Sequence, residues 1–145
     1  MKYRTILCED NEHVREILNF ILNEREHEIF SYKDAADRPL NSSTEFKGYH
    51  ENPCSDIIVS DVSMPKLDGL KFVEDIKRSG CKVKNIALIS GYWNKDDISR
   101  AKEIGCSVFH KPLLPEQLNK WLDNCEKNIA PNRILSQFMP CHLPE

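Results

Sequence analysis

Four short runs, each closed by a polar or charged residue, constrain the fold of this chain most strongly. They occupy residues 5–8 before Glu9, 57–60 before Asp61, 86–89 before Ser90 and 107–110 before Lys111. Mostly apolar runs of this length are typical of strands buried on both faces of a parallel sheet. Residues 28–32 give a fifth, weaker strand candidate. The chain is therefore predicted to contain a buried parallel sheet.

Segments with helical spacing lie between the predicted strands. Apolar residues recur three and four positions apart in four groups: 14, 17, 18, 21 and 22; 70, 73 and 76; 98, 101 and 104; and 118, 121, 122 and 125. This spacing is typical of amphipathic helices with one buried face. Asp68 and Gly69 are predicted to open the second helix, and Gly105 to follow the end of the third. Between residues 35 and 55, Pro, Gly, Asn and Ser interrupt the spacing, so we expect a short or irregular helix there.

The alternation of strand and helix predicts an α/β fold with right-handed crossovers, in which a doubly wound sheet carries helices on both faces. Ligands of such sheets bind at the carboxyl ends of the strands. The residues that close the four runs all lie at such ends. At 145 residues the chain fits one domain. We expect residues 1–126 to form it, with residues 127–145 as a C-terminal tail and no separate output domain.

Charge and apolar content argue against several classes of function. The 20 Lys and Arg residues are interleaved with 23 Asp and Glu residues, and the net charge is −3, which disfavours a broad nucleic-acid surface. The six cysteines include no C-x-x-C pair and no His at a zinc-like spacing. No apolar run is long enough for a membrane span, and the N-terminal run is too short for a signal peptide. We therefore expect a cytoplasmic protein without direct nucleic-acid or membrane binding.

Three carboxylates, Glu9, Asp10 and Asp61, are predicted to meet at one rim of the sheet because they follow separate strands. Packed carboxylates repel one another, and burial raises their pKa values, unless a cation neutralises them. Magnesium suits such a site because it binds one or two carboxylates together with phosphate oxygens and water. An alternative is that Glu9 and Asp10 cap the first helix and that Asp61 begins a turn before Pro65.

A carboxylate can also attack phosphorus and form an acyl phosphate. Asp61 is the candidate nucleophile, and magnesium together with Lys111 would neutralise the charge on the phosphoryl oxygens. The Ser90 hydroxyl would donate a hydrogen bond to one of these oxygens, and Gly91 would leave room for close backbone approach. Taken singly, Ser90 could instead be an ordinary strand-end hydroxyl, and Lys111 a surface lysine.

The predicted strand ends carry four motifs: E-D at 9–10, D-V-S-M-P-K-L-D-G at 61–69, I-S-G at 89–91 and H-K-P-L at 110–113. Together they resemble the receiver domain of bacterial two-component response regulators, and the resemblance covers residues 3–126. It implies a flavodoxin-like fold with a single five-stranded parallel sheet in the order 2-1-3-4-5. It also implies a signalling role that depends on phosphoryl transfer.

The resemblance assigns a role to each matching residue of the metal site. Asp61 would be the phosphorylated aspartate, Asp10 a direct magnesium ligand, and Glu9 a group acting mainly through water. The backbone carbonyl of Ser63 would add a further oxygen to the metal. The predicted cofactor is therefore magnesium, held by Glu9, Asp10, Asp61 and Ser63.

Further roles follow for residues around the phosphoryl group. Ser90 would be the switch hydroxyl and Lys111 the phosphate-binding lysine, with a cis peptide bond from Lys111 to Pro112. The side chains of Ser63 and Tyr92 would tune the hydrolysis of the aspartyl phosphate. That hydrolysis would be slow and self-catalysed, so we expect no enzymatic activity beyond it.

The read-out of phosphorylation departs from the usual pattern of this family. Many members carry an aromatic residue three positions before the lysine, whereas this chain has Val108 there and the aromatic Phe109 one place later. Ser90, Val108 and Phe109 are the candidate switch residues. The resemblance implies a histidine kinase or phosphotransfer protein as phosphoryl donor, a downstream protein target and a possible homodimer.

Two rival functions come from other classes. A phosphatase or phosphotransferase of the haloacid dehalogenase type would resemble D-x-D at its nucleophile, but Ser63 stands two places after Asp61, where that enzyme has its acid and base. An interaction module that is never phosphorylated would keep the same fold. The intact set of acidic residues, Ser90 and Lys111 argues against it, because packing alone does not require these groups together.

Overall fold

A computed structural model describes residues 2–37 and 52–136 of the chain. The strands are β1 (Arg4–Cys8), β2 (Glu28–Tyr32), β3 (Ile57–Asp61), β4 (Asn85–Ser90) and β5 (Ser107–His110). The α-helices are α1 (Glu12–Glu24), α2 (Gly69–Arg78), α3 (Lys95–Glu103) and α4 (Pro115–Asn128), and a 3₁₀ turn spans Ala35–Asp37. The five predicted strands and the four periodic helices are confirmed. Most of the irregular stretch expected between residues 35 and 55 lies outside the described residues.

The five strands form one parallel sheet in the order β2-β1-β3-β4-β5. This confirms the doubly wound sheet and the strand order that the resemblance implied. β1 has β2 on one side and β3 on the other, so the strand order reverses beside β1. Ligands of open α/β sheets bind at such a reversal, outside the carboxyl ends of the strands. The carboxyl ends of β1 and β3 therefore border the expected binding position.

Hydrophobic residues cover both faces of the sheet. Successive residues of a strand point to opposite faces, and accordingly Ile58 belongs to one hydrophobic layer while Ile57 and Val59 belong to the other. The layer of Ile58 includes Leu70, Val73 and Ala101 from α2 and α3, and the opposite layer includes Leu18, Leu22 and Leu118 from α1 and α4. All five residues of β3 are buried, as a strand between two helical layers requires.

The predicted apolar face of α1 is wrong at one position. Leu18, Ile21 and Leu22 are buried, but Ile17 is 54% exposed. Successive residues of a helix are rotated by about 100° around its axis, so Ile17 lies at the edge of the buried arc of α1, which is centred near Leu18. Phe20, on the far side of this edge, is 65% exposed. Spacing alone identified the helix but did not locate the boundary of its buried face.

Side chains and a glycine mark the helix ends. The Asn11 side chain accepts a hydrogen bond from the Val14 amide (3.0 Å) and caps α1. The Asp68 side chain caps α2, as predicted, by accepting from the amides of the first turn. Gly105 follows α3 with φ of +85°, a conformation that favours glycine. Because Asn11 caps α1, helix capping does not account for Glu9 and Asp10.

The segment after α4 returns to the edge of the sheet opposite the strand ends discussed above. The Arg133 guanidinium donates to both carboxylate oxygens of the buried Asp56, at 2.8 and 2.6 Å. The Ser136 amide donates to the carbonyl of Pro53 (2.8 Å), whereas Ile134 is 66% exposed. The described part of the tail is thus held by these polar contacts and by Ile129, which packs against the layer of α1 and α4. Separately, no helix among the described residues has the length and apolarity that a membrane crossing requires.

Candidate functional site

The predicted site residues meet at the carboxyl edge of the sheet. Glu9 and Asp10 follow β1, Asp61 is the last residue of β3, Ser90 is the last residue of β4, and Lys111 follows β5. These strands are neighbours in the order β1-β3-β4-β5. Residues far apart in the sequence are therefore brought to one rim by the order of the strands.

The three carboxylates form a compact cluster. One carboxylate oxygen from each of Glu9, Asp10 and Asp61 lies within 4.8 Å of the others. The Glu9 side chain is fully buried and that of Asp61 almost so, while Asp10 is half-buried. Glu9 Oε2 accepts a hydrogen bond from the Asn11 amide (3.1 Å), but Glu9 Oε1 has no hydrogen-bond partner among the described residues. A buried, unpartnered carboxylate oxygen is costly and points to a missing donor or cation.

Burial and mutual repulsion make the charged form of these carboxyl groups costly. Burial, with a further contribution from the neighbouring Asp61, raises the pKa of Glu9 to about 7. Burial also raises the pKa of Asp61, although the hydrogen bond from Lys111 opposes this shift. A cation bound to the cluster would relieve the repulsion. The three carboxylates offer only oxygen ligands, and the cluster is accessible on the side of the half-buried Asp10. Such a site suits a hard divalent ion such as magnesium.

Lys111 supplies the positive charge of the site. Its Nζ donates to Asp61 Oδ2 at 3.0 Å and lies 3.7 Å from Glu9 Oε2. Burial alone would lower the pKa of this ammonium, but the hydrogen bond and attraction to Asp61 outweigh burial and raise the pKa. The Lys111 amide donates to the Ser90 carbonyl (2.9 Å), and the bond from Lys111 to Pro112 is cis. These contacts do not fit a solvated surface lysine.

The Ser90 hydroxyl is engaged away from Asp61 in this structure. It donates to the Tyr92 carbonyl (2.8 Å) and accepts from the Tyr92 amide (3.1 Å). The Tyr92 side chain is 78% exposed. On the other side of the site, the Ser63 amide donates to Asp61 Oδ1 (3.3 Å), and Ser63 is also exposed. The two positions expected to tune hydrolysis therefore both face solvent.

The two candidate switch residues of β5 lie on opposite faces of the sheet. Val108 packs against the layer of α2 and α3, whereas Phe109 packs against the layer of α1 and α4. The Phe109 ring meets Trp121 edge to face, with ring centroids 6.0 Å apart. Trp93, which was not singled out from the sequence, packs against the same layer as Val108 and donates its indole N–H to the Phe109 carbonyl (2.8 Å). An aromatic residue shortly after I-S-G was the available signal.

Close backbone approach occurs at Gly69 and not at Gly91. A Cβ atom added at Gly91 would meet only Lys111 Cβ, at an ordinary 4.0 Å. A Cβ atom at Gly69 would lie 2.1 Å from the Asp61 carbonyl oxygen and 2.9 Å from Val62 Cα. No atom of the described residues crowds Gly91, and its predicted role beside a phosphoryl group stays a prediction. Gly69 is the residue whose missing side chain lets α2 start directly beneath Asp61.

These features agree with comparisons to known proteins. The chain belongs to the response regulator receiver domain family, whose sequence model matches residues 5–123. It is 28% identical over 118 residues to the transcriptional regulatory protein RprY of Bacteroides fragilis (strain YCH46), an alignment that covers 81% of this chain and 46% of RprY. The chain thus spans about half the length of this curated relative. Its family places it in two-component signalling.

Solved structures support the same fold. The N-terminal domain of an uncharacterized protein (WS1339) from Wolinella succinogenes has a TM-score of 0.70 and 28% identity, with 86% of this chain and 94% of that chain covered. The Vibrio cholerae chemotaxis protein CheY4 has a TM-score of 0.66 and 21% identity, with 86% of this chain and 99% of that chain covered. The flavodoxin-like receiver fold is confirmed.

Proposed function

We propose that this receiver domain accepts a phosphoryl group on Asp61 in a magnesium-dependent reaction and that the modification switches its protein contacts. One observation carries the proposal: the buried Asp61 carboxylate lies 3.0 Å from Lys111 Nζ and clusters with Glu9 and Asp10. A nucleophile, a fixed cation and further acidic ligands in one place supply what phosphoryl transfer requires.

The donor is a phosphohistidine on a histidine kinase or phosphotransfer protein. An Asp61 carboxylate oxygen attacks phosphorus as the bond from phosphorus to the imidazole nitrogen breaks, and the imidazole leaves with that electron pair and takes up a proton. A bound magnesium ion would neutralise charge on the phosphoryl oxygens. Glu9, Asp10 and Asp61 would hold that ion, with the Ser63 backbone carbonyl as a further ligand. Lys111 orients Asp61 before transfer and stabilises the phosphoryl oxygens afterwards.

Ser90 is the residue that senses the product. Its hydroxyl bonds to both backbone groups of Tyr92 before transfer. A phosphoryl oxygen on Asp61 is a charged acceptor and competes with the Tyr92 carbonyl for the Ser90 hydroxyl. When the Ser90 hydroxyl turns toward the phosphoryl oxygen, the loop after β4 must rearrange. The phosphoryl group thereby stabilises a second conformation of the domain.

Loss of the phosphoryl group is slow and self-catalysed. Ser63 stands two places after Asp61 and offers no carboxylate to act as acid and base, which disfavours a phosphatase that turns over substrate. Ser63 and Tyr92, both exposed beside the site, set how easily water reaches the aspartyl phosphate. The chain therefore acts as a signalling switch.

The signal leaves the domain through protein contacts, with a downstream protein or a second copy of the chain. Residues 1–126 would form the receiver and residues 127–145 a C-terminal tail, in a cytoplasmic setting and without direct binding to nucleic acid; contacts of Arg133 and Ser136 with the domain support this division. An open groove of about 610 Å³ beside β5 and α4 is one surface that a partner can use. Phe109, Trp121, Lys120 and Lys127 are among its lining residues. Phe109 links this groove to β5.

The proposal is tested by incubating the protein with acetyl phosphate and magnesium, followed by intact mass measurement and peptide mapping. We expect the wild type to gain one phosphoryl group and Asp61→Asn to gain none. Asp56→Asn is the matched control because Asp56 is a buried aspartate next to β3, at the opposite edge of the sheet. A wild type that gains no phosphoryl group would favour an interaction module, and an equal gain in Asp61→Asn would overturn the assignment of the acceptor.

A further inference from the structure

Asp34 is a buried carboxylate that no part of the proposed reaction uses. It lies two residues after β2 and is 2% exposed. Its Oδ1 accepts from the amides of Ala36 (2.9 Å) and Leu67 (3.1 Å), and its Oδ2 accepts from the amide of Lys66 (2.7 Å). Lys66 and Leu67 belong to residues 62–68, here called the acceptor loop, which runs from Asp61 to the start of α2.

We propose that Asp34 is a positioning residue for the magnesium site, because its carboxylate fixes the acceptor loop so that the Ser63 backbone carbonyl faces the cation. The inference rests on the proposed function, since it assumes that the acidic cluster binds magnesium. It adds a residue that touches neither the ion nor the phosphoryl group. By binding the amides of Lys66 and Leu67, Asp34 would set the direction of the Ser63 carbonyl, which lies a few residues earlier in the loop.

The acceptor loop needs such an anchor between its ends. Its first residue is fixed by the bond from the Val62 amide to the Ile89 carbonyl (2.9 Å), and α2 is fixed by the bond from the Gly69 amide to the Val62 carbonyl (2.8 Å). Between these bonds, the Ser63 amide makes one long contact with Asp61 (3.3 Å), and Pro65 has no amide hydrogen to donate. The two bonds to Asp34 anchor the remaining stretch.

Apolar contacts alone do not fix a carbonyl direction. Met64 is buried and Leu67 is half-buried against the layer of α2 and α3, so both hold the loop against the core. Such contacts are non-directional, whereas hydrogen bonds fix the orientation of the peptide groups that make them. The salt bridge from Lys66 to Asp37 (2.7 Å) adds little because both side chains are substantially exposed. Asp34 thus adds a directional constraint in the middle of the loop, between the hydrogen bonds that fix its two ends.

A carboxylate is needed because the donors approach both of its oxygens. The local turn in which the Ala36 amide donates to the side chain of residue 34 requires only one acceptor oxygen, so asparagine or serine at position 34 could also form it. The contact of Oδ2 with the Lys66 amide joins residues 32 positions apart and is the shortest of the three at 2.7 Å. An asparagine offers one oxygen and would point its NH₂ group at one of the amides. The Asp34→Asn variant therefore removes at least one of the three contacts while keeping the side-chain size.

The experiment compares Asp34→Ala, Asp34→Asn and the control Asp56→Asn. Asp56 is also buried and accepts three hydrogen bonds, from the Arg4 amide and twice from Arg133, but at the opposite edge of the sheet. Magnesium affinity is measured by isothermal titration calorimetry on folded protein. Hydrogen exchange of the Lys66 and Leu67 amides is measured by NMR in metal-free protein.

We expect Asp34→Ala to weaken magnesium binding by about 10- to 100-fold, the usual effect of removing a group that orients a metal ligand. Amide exchange at Lys66 and Leu67 should accelerate, and Asp34→Asn should be intermediate in both measurements. Phosphorylation by acetyl phosphate should need more magnesium but recover at saturating magnesium, because Asp34 does not touch the reacting atoms. Asp56→Asn should lose stability while its magnesium affinity stays within about twofold of wild type.

Each outcome bears on one claim. Wild-type affinity in folded Asp34→Ala, or an equal loss in Asp56→Asn, would overturn the positioning role. Should Asp34→Ala not fold, Asp34→Asn with unchanged affinity and unchanged exchange at Lys66 would overturn it equally. A wild type that binds no magnesium would instead refute the proposed function, and the exchange rates would still decide whether Asp34 fixes the loop.

Discussion

The Gly69→Ala substitution tests how tightly the start of α2 constrains the acceptor. The new Cβ would lie 2.1 Å from the Asp61 carbonyl oxygen and 2.9 Å from Val62 Cα, and Cβ contacts below 3.0 Å are essentially never observed. Both obstructing atoms are backbone, so no change of rotamer relieves the clash. The helix start and the end of β3 must separate by about 1 Å, which also stretches the bond from the Gly69 amide to the Val62 carbonyl.

This separation predicts two measurable losses. Overpacking of this kind costs about 1–3 kcal/mol of unfolding free energy, which urea denaturation measures. Displacing a reacting group by about 1 Å slows its reaction by roughly 100-fold, so the rate of Asp61 phosphorylation by acetyl phosphate should fall by about that factor.

Gly105→Ala provides the control for the Gly69 prediction. Gly105 has φ of +85° and no atom within 4 Å of an added Cβ, so alanine there is strained without displacing the site. This variant should lose about 1–2 kcal/mol and keep the wild-type phosphorylation rate. If Gly69→Ala phosphorylates as fast as Gly105→Ala, the argument that Gly69 positions Asp61 is refuted.

The remaining predictions concern the protonation of the site and its read-out. In metal-free folded protein the pKa of Glu9 is about 7, against an ordinary value of 4.5, so rising pH should cost the wild type about 3 kcal/mol of unfolding free energy across that interval. Glu9→Gln should reduce this loss of stability between pH 5 and pH 8 in urea denaturation with a chelator, while Asp61, whose pKa burial also raises, keeps a smaller slope of the same sign. An equal slope in the variant would contradict the prediction. The chain has two tryptophans, so Trp121→Phe leaves Trp93 as the single reporter. Beryllium fluoride with magnesium, as a phosphoryl mimic, should change its fluorescence, and adding Asp61→Asn should abolish the change; an unchanged spectrum in the parent variant would show that the loop after Ser90 does not move.

The sequence predicted most of the fold because burial on both faces leaves an unambiguous pattern. β1, β3 and β4 contain mostly apolar runs, and nearly every residue of these strands is buried. β2 and β5 are edge strands with no buried residue, and the sequence of β2 gave the weaker signal of the two. The face of α1 was misjudged at Ile17 because spacing gives the direction of the buried arc but not its width.

The cluster of candidate site residues was predictable for a topological reason. Once a parallel sheet was inferred, residues at the carboxyl ends of neighbouring strands had to share one rim. Asp34 and Trp93 were not singled out because they act through hydrogen bonds between segments 16 to 33 residues apart, which no periodic pattern marks. The close approach at Gly69 was missed because it depends on the angle at which α2 meets β3.

The two states of the proposed switch must be close in free energy. To reach a phosphoryl oxygen, Ser90 gives up two neutral hydrogen bonds to Tyr92, each worth about 1 kcal/mol net, for one bond to a charged acceptor worth about 1.5–3 kcal/mol. The exchange alone is nearly balanced, whereas moving an equilibrium from 1:99 to 99:1 needs about 5.5 kcal/mol. The remaining bias must come from Lys111 and from contacts that form only in the second conformation, because the bond from Trp93 to the Phe109 carbonyl already stabilises the first. Acceptance of a phosphoryl group and its read-out are therefore separable properties of this domain.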